Sequence, residues 1–402
     1  MVHLRERYLA LLVKKSLKFS PIVSIFGHRQ VGKTTLCEQI GGQYLTLDRP
    51  EILQLSLDSP DTLLNSINTS AKRGPLVIDE CQMAPPLFPA MKEWVRIHKK
   101  PGQLLLTGSV RFSSRKAIRE SLTGRTINWE LLPMALSEAH SAPLPDSIRK
   151  LIEARSLEFE LSPAPYFSIA TYESALGRGG LPGIFAVRDA SVRKQRFETQ
   201  IETLLERDLR LLVQTSIDYR TLRNLLSILA ARQTLPIDLS EISRAARISI
   251  PALRKIISAL ESMFIIRVIE TEGSRRKPVL FFEDQGEASH LAAGDRPDHL
   301  FHLTRFLFSN IRQQWVYRPE LAHSLFQYRN RGGAFVPLAI RSSQRCLGLI
   351  PILNETPGRH DIASAQSFIS SYPGARCIFT HLGKLDRIVG DSMRILPLSL
   401  LV

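Results

Sequence analysis

Short apolar runs recur through the first third of the chain, each stopping at small, polar or acidic residues and each separated from the next by a stretch with helical spacing. The runs are Ile22-Val23-Ser24-Ile25-Phe26, Gln43-Tyr44-Leu45-Thr46-Leu47-Asp48, Leu76-Val77-Ile78-Asp79-Glu80, Leu104-Leu105-Leu106-Thr107-Gly108-Ser109 and Thr126-Ile127-Asn128-Trp129-Glu130-Leu131. Runs this short and this apolar suit strands covered on both faces, and their alternation with helices predicts an α/β domain with a parallel sheet over residues 1–140. Residues 4–13 read as an amphipathic helix leading into that sheet.

Ser141-Ala142-Pro143-Leu144-Pro145-Asp146 breaks the alternation. Residues 141–232 then read as mostly helical, with Gly177-Arg178-Gly179-Gly180-Leu181-Pro182-Gly183 as a loop. Phe197, Ile201, Leu204, Leu205, Leu209 and Leu212 recur at helical spacing and are core positions, while Glu206, Arg207, Asp208 and Arg210 form a solvated face. Over residues 233–285 the pattern is helix, tight turn, helix, strand, basic tip, strand: 239–247, Ile248-Ser249-Ile250-Pro251, 252–260, 264–269, Gly273-Ser274-Arg275-Arg276-Lys277-Pro278, then Val279-Leu280-Phe281-Phe282. That order predicts a winged helix. Arg254 and Lys255 on the second helix would face a nucleic-acid groove, with Arg275, Arg276 and Lys277 on phosphates. A packing or protein-contact role for the same module is equally open. Residues 286–402 return to an α/β pattern.

The loop after the first run carries the chemistry. Gly27-His28-Arg29-Gln30-Val31-Gly32-Lys33-Thr34-Thr35 is a complete G-x-x-x-x-G-K-[ST] phosphate-binding loop between a strand and a helix. Its glycines let backbone amides curl round a polyphosphate, and the helix starting near Lys33 points its positive end at the anion. Lys33 would neutralise the β- and γ-phosphates of ATP, and Thr34 would hold Mg²⁺ through its hydroxyl. Asp79 and Glu80, ending a later strand, fit a Walker B pair: Asp79 for Mg²⁺ through water, Glu80 to orient or deprotonate the attacking water. The hydroxyl-bearing end of Leu104–Ser109 is either a γ-phosphate sensor or a plain turn.

With 402 residues, two to four domains are expected. Lys+Arg 53 against Asp+Glu 38 gives a net charge of +15, a field that attracts nucleic acid without naming it as a partner. No apolar run approaches the roughly 18 residues of a membrane span, and the first residues lack a signal-peptide core. Cys37, Cys81, Cys346 and Cys377 show no metal-binding spacing, so reduced thiols and a cytoplasmic location are expected.

The motifs taken in order resemble prokaryotic AAA+-type P-loop ATPases with a C-terminal PD-(D/E)XK-nuclease-like domain of unknown function. The phosphate loop is similar to that family's G-P-R-Q-V-G-K-T-T, with His28 replacing proline. Tyr44–Asp48, Val77-Ile78-Asp79-Glu80-Cys81-Gln82, Leu106–Ser109, Ser121-Leu122-Thr123-Gly124-Arg125 and Leu132-Pro133-Met134-Ala135-Leu136-Ser137-Glu138 follow its pattern. The resemblance implies Arg125 as a γ-phosphate-sensing or finger arginine, with a helix-end surface role as its alternative. It also implies a helical lid at 141–232 and a nuclease-like module at 286–402. In that module Tyr328, Arg329, Gly332 and Gly333 fit, but Phe335, Pro337 and Leu353 stand where the family has acids, and Glu355 where it has lysine. Such a site cannot assemble the hard oxygen ligands a divalent ion needs, with Glu320 and Asp361 as its remaining unplaced acids. The expected protein is a Mg²⁺-dependent ATPase that moves domains and acts on or is regulated by nucleic acid, with a dead nuclease module. The alternative is a slow ATP-dependent switch binding DNA, a protein partner or itself.

Overall fold

β1 (Ile22–Phe26) is buried at every position and lies inside a sheet, not at its edge, which is why it can be apolar throughout. The computed structural model describes residues 5–65, 74–111, 124–274, 277–292, 298–321 and 323–402. The chain divides into two compact units. The first comprises Met1–Leu132 with Leu181–Gly183 and Ser262–Ile265, and the second comprises Pro133–Gly180, Ile184–Glu261 and Ile266–Val402.

In the first unit β1 is joined by β2 (Gln43–Thr46), β3 (Leu76–Asp79), β4 (Leu104–Gly108) and β5 (Thr126–Glu130). The order is β2-β3-β4-β1-β5 and every pairing is parallel. All five strands therefore end at one edge, with Phe26 level with Gly108 and Glu130, and Thr46 level with Asp79. β4 lies between the phosphate-loop strand and the strand ending in Asp79. Ile22, Ile78, Phe88, Met91, Leu104 and Leu106 form the core of this unit, and Phe264 joins them from the segment Ser262–Ile265. β2 stops at Thr46 instead of running to Asp48, because the Asp48 amide turns back to the Thr46 hydroxyl at 3.2 Å. The N-terminal helix spans Leu9–Ser16, later than the apolar pattern of residues 4–13 suggests.

The second unit is built on a mixed eight-stranded sheet with helices. β6 (Ile266–Glu272), β7 (Val279–Phe282), β8 (His323–Arg329), β9 (Phe335–Ser342), β10 (Cys346–Pro351), β11 (Arg376–His381), β12 (Arg387–Val389) and β13 (Met393–Pro397) stand in the order β12-β13-β11-β10-β9-β8-β6-β7. Within 141–232 the helices are Ser147–Glu153, Ile169–Arg178, Pro182–Phe185, Ala190–Thr203, Leu209–Leu212 and Tyr219–Ala231, with a π-helical turn at Leu204–Asp208. Gly177 and Arg178 close a helix instead of opening a loop. Gly179 and Gly180 then pass against Asp284, whose carboxylate accepts the Gly180 amide at 2.6 Å and leaves no room for a Cβ on Gly179.

Helices Leu239–Ala246 and Ile250–Ser262 are followed by the antiparallel pair β6–β7, as the pattern at 233–285 indicates. β6 starts at Ile266, two residues later than expected, because Phe264 takes a left-handed φ of 59°. β6 also pairs in parallel with β8, so this hairpin is the end of the eight-stranded sheet and not a free-standing ribbon. The end of β6 is held against β8: the Arg331 amide donates to Ser274 Oγ at 2.6 Å, and a Cβ at Gly273 would strike the Arg329 carbonyl.

Pro337 lies in β9, inside the sheet, where a residue without an N–H is normally excluded. It is tolerated because the β8–β9 register shifts between Phe326 and Tyr328, beside it, and pairing with β10 reaches only Leu338. Phe368 of the helix Arg359–Ser371 is fully buried on this sheet, with ring centroids 5.5 Å from Tyr328 and 5.0 Å from Tyr372. Phe368→Ala is expected to cost about 3–5 kcal/mol of stability. Urea denaturation followed by circular dichroism measures it, and a loss below about 1 kcal/mol would show that this core can close over the gap.

Candidate nucleotide site

The loop 27–32 leaves β1 at the sheet edge where all the strands end, and its shape depends on two left-handed residues, Gln30 (φ 61°) and Gly32 (φ 98°). Only a glycine reaches the second of these cheaply. Gly27 answers a different constraint, because a Cβ there would collide with the Leu131 carbonyl. The helix Lys33–Ile40 begins directly after the loop, and its first internal bond runs from the Leu36 amide to the Gly32 carbonyl at 3.0 Å. The amides of Gly32, Lys33, Thr34 and Thr35 have no acceptor among the described residues. Four orphan donors at a helix start form an anion cradle.

Lys33 is buried and folds over this loop, its Nζ donating to the carbonyls of Gly27 and His28 at 3.0 Å each. Burial pulls its pKa down, and the nearby Glu80 and Asp79 carboxylates pull it back up. A second buried cation supports the loop. The Arg7 guanidinium donates to the carbonyls of Val31 and Leu132, both at 2.6 Å. Nothing in the sequence around Arg7 marks it for this. His28 is buried with Nδ1 2.6 Å from the Arg29 carbonyl, while Gln30, Thr34 and Thr35 are exposed and Arg29 is half-buried.

Asp79, buried at the end of β3, is the centre of the polar network. Its Oδ2 accepts from Thr34 Oγ1 at 2.8 Å and from the Tyr44 phenol, and its Oδ1 accepts from the Thr107 hydroxyl and from the Glu80 amide at 3.1 Å. Burial and the Asp79 bond together raise the Tyr44 pKa. Glu80 takes a left-handed φ of 56°, which turns its side chain away from the strand direction. Its carboxylate accepts from Gln82 Nε2 and, at 3.1 Å, from Ser109 Oγ. Cys81 and Cys37 are buried beside these acids, and burial raises both thiol pKa values.

The structure thus brings Lys33, Thr34, Asp79 and Glu80 to one sheet edge. Arg125 is not among them: it precedes β5, whose first residue Thr126 is level with Ile22, at the opposite edge. Five residues of strand separate that level from the phosphate loop, roughly 15 Å. Direction of the strand, which motif order does not reveal, is the physical reason. Ser121, Leu122 and Thr123 of the same motif lie outside the described residues, as do Arg275 and Arg276. Arg254 and Lys255 are exposed, and Lys277 Nζ pairs with Asp238 Oδ2 at 2.8 Å. This pairing, with the amides of Ser240 and Glu241, holds the Asp238 carboxyl down at about 2. In the second unit the Arg329 guanidinium lies 4.4 Å over the Phe335 ring, Leu353 is exposed, and Asp361 caps its helix by accepting the Gly358 amide at 2.8 Å. Glu355 accepts the amides of Lys384 and Leu385.

Thr34 and Asp79 offer two hard oxygens, 2.8 Å apart, beside the orphan amides. That donor set fits Mg²⁺, which takes one or two protein oxygens and completes its shell with phosphates and water. Among the described residues no cluster of three or more His, Cys, Asp or Glu is arranged to hold a metal by itself. No helix among them is long and apolar enough to cross a membrane.

Comparison with known proteins agrees with this geometry. Residues 19–140 match the AAA domain model AAA_14, and residues 169–298 match a domain of unknown function, DUF8612. The chain therefore carries a P-loop ATPase domain of the AAA type, which implies nucleotide binding, typically with Mg²⁺. Uncharacterized proteins of Mycobacterium tuberculosis and Mycobacterium bovis are each 25% identical over 292 residues, covering 70% of this chain and 58% of theirs. The chain thus spans a little over half the length of these relatives. Among solved structures, a signal transduction ATPase with numerous domains and a tetratricopeptide repeat sensor from Pyrococcus horikoshii aligns at 13% identity, covering 76% of this chain and 45% of that one, with a TM-score of 0.29. A DNA polymerase III gamma subunit-related protein of Thermotoga maritima aligns at 10% identity, covering 63% and 99%, with a TM-score of 0.26. TM-scores at this level do not establish a shared overall fold.

Gly27→Ala is expected to open the loop at its base, since the clashing partner is backbone, and to weaken fluorescent ATP-analogue binding by at least about tenfold. Gly183, where a Cβ meets nothing within 4 Å, supplies the control. Equal affinity in Gly27→Ala and Gly183→Ala would show that the loop tolerates displacement at its base.

Proposed function

We propose that this protein is a Mg²⁺-dependent ATPase in which hydrolysis is coupled to motion between its parts and is exerted on, or regulated by, nucleic acid. In this reading residues 1–140 are the ATPase domain, 141–232 a helical lid, 233–285 a winged helix and 286–402 a degenerate PD-(D/E)XK-like module. One observation carries it: four orphan amides, the Lys33 ammonium, the Thr34–Asp79 oxygen pair and Glu80 meet at a single sheet edge.

The amides of Gly32 to Thr35 and the Lys33 ammonium would bind the β- and γ-phosphates, the lysine exchanging its loop carbonyls for phosphate oxygens. Thr34 and Asp79 would hold Mg²⁺, whose charge offsets that building on the transferred phosphoryl group. Glu80 would orient the attacking water in line with the γ-phosphate and take its proton. Arg125, at the far edge of its own sheet, would serve as a finger for the site of a second copy. Arg254 and Lys255, exposed on one helix, together with Lys277, would meet nucleic-acid phosphates. With Phe335 under Arg329, Pro337 in a register shift and Leu353 in solvent, the C-terminal module lacks metal-binding acids at those positions and would act in docking.

The slow-switch reading has an observation of its own, since the Glu80 carboxylate is already held by Gln82 and Ser109. A base held this way turns over only after those bonds are given up.

Lys33→Ala is expected to lose ATP affinity by at least about tenfold, whereas Glu80→Gln keeps binding and loses about 10²–10⁴ in turnover. Single-turnover hydrolysis and fluorescent-nucleotide titration separate the two, and equal turnover in Glu80→Gln and wild type would remove Glu80 from the role of base. Turnover with and without duplex DNA, at several protein concentrations, tests both the nucleic-acid link and Arg125 acting between copies. Charge reversal at Arg254, Lys255 and Lys277 is expected to flatten the salt dependence of DNA binding by about one unit per lost phosphate contact; an unchanged slope assigns this module to packing. Incubated with DNA and Mg²⁺ or Mn²⁺, the protein is expected to cut nothing. Cleavage that survives Lys33→Ala would restore a nuclease.

A further inference from the structure

The Asp79 carboxylate has about four lone-pair sites, and four donors fill them: Thr34 Oγ1, the Tyr44 phenol, Thr107 Oγ1 and the Glu80 amide. The Tyr44 phenol donates to the same carboxylate oxygen, Oδ2, as the Thr34 hydroxyl. A cation drawn to Asp79 needs lone pairs that are already committed.

The four donors are not equally easy to move. The Glu80 amide is main chain. Thr107 is fully buried in β4, a strand flanked on both sides. Thr34 can keep its hydrogen on Asp79 while its own oxygen turns to a cation. Tyr44 differs from all three: it sits on the edge strand β2, half-buried, and its side chain can rotate outward without displacing backbone. A phenol leaving this site also finds water as a new partner, so the exchange costs one hydrogen bond and no burial of an unpaired group.

We propose that the Tyr44 phenol competes with Mg²⁺ for the Asp79 carboxylate, so that metal entry with the nucleotide costs the tyrosine its bond and turns its ring outward. The proposal rests on the ATP-binding reading above. It makes Tyr44 a residue that sets how much of the nucleotide affinity depends on the metal, and it gives the edge of the sheet two arrangements, one for each state of the site.

The test is equilibrium binding of a fluorescent, non-hydrolysable ATP analogue to the full chain, in EDTA and in Mg²⁺. Tyr44→Phe is expected to match wild type within about twofold in EDTA and to bind roughly three- to tenfold more tightly in Mg²⁺, the net worth of one ordinary hydrogen bond exchanged for water. Equal or weaker binding of the variant in Mg²⁺, with wild type binding normally, overturns the proposal and leaves the ATP-binding reading intact. Failure of wild type to bind in either buffer sinks that reading, and the proposal with it. A second readout uses the unmutated chain with its eight tyrosines replaced by 3-fluorotyrosine. The ¹⁹F line missing from Tyr44→Phe is expected to move on adding the analogue with Mg²⁺ and to stay in place with the analogue in EDTA; a line that stays in place in both overturns the proposal.

Discussion

Asp79 is a buried carboxylate, and burying a charge is tolerable only when hydrogen bonds replace the water it loses. Its donors come from four places: the helix after the phosphate loop, the edge strand β2, the central strand β4 and the residue that follows it. Each must arrive within hydrogen-bonding reach, so one side chain fixes how far three strands and a helix can slide. The parallel order with β4 between β1 and β3 satisfies this directly, since it sets Thr107 beside Asp79 at the common edge. The Walker positions are in register because that carboxylate needs them to be.

Two buried cations hold the loop together. Lys33 leans over it and Arg7 braces it, each donating to loop carbonyls. Carbonyls drawn toward these cations leave the amides of Gly32 to Thr35 without internal partners, and those amides are what an anion would find. The field that favours anions is therefore local, set by a handful of groups at one edge, and the net charge of +15 adds only a diffuse background.

The five strands of the first unit were legible because each is a compact apolar run with a polar stop, and the phosphate loop because its spacing is itself a geometric constraint. Tyr44 and Arg7 were not, since their roles depend on which strand lies beside which and on where the N-terminal segment folds back. Arg125 illustrates the limit most plainly. Its neighbours in sequence carry a motif, yet strand direction places it at the far edge. In the second unit the helix pair and hairpin were readable from local periodicity, but the pairing of β6 with β8 joins residues more than fifty positions apart, and no local pattern encodes it. Pro337 similarly reads as a strand breaker until the register shift beside it is seen.

The first unit is not a contiguous piece of chain, and this bears on how such a domain is defined. The segment matching the AAA family model ends at residue 140, yet Phe264 belongs to the same hydrophobic core as Phe88 and Leu104, under the Arg111 guanidinium at 4.4 Å. An excised fragment ending at that family boundary would carry a hole the size of a phenyl ring and an arginine stripped of its aromatic partner. The unit that is recognised by homology and the compact unit of the structure are different objects here, and the difference includes two short stitches, Leu181–Gly183 and Ser262–Ile265, threaded back from distant parts of the chain.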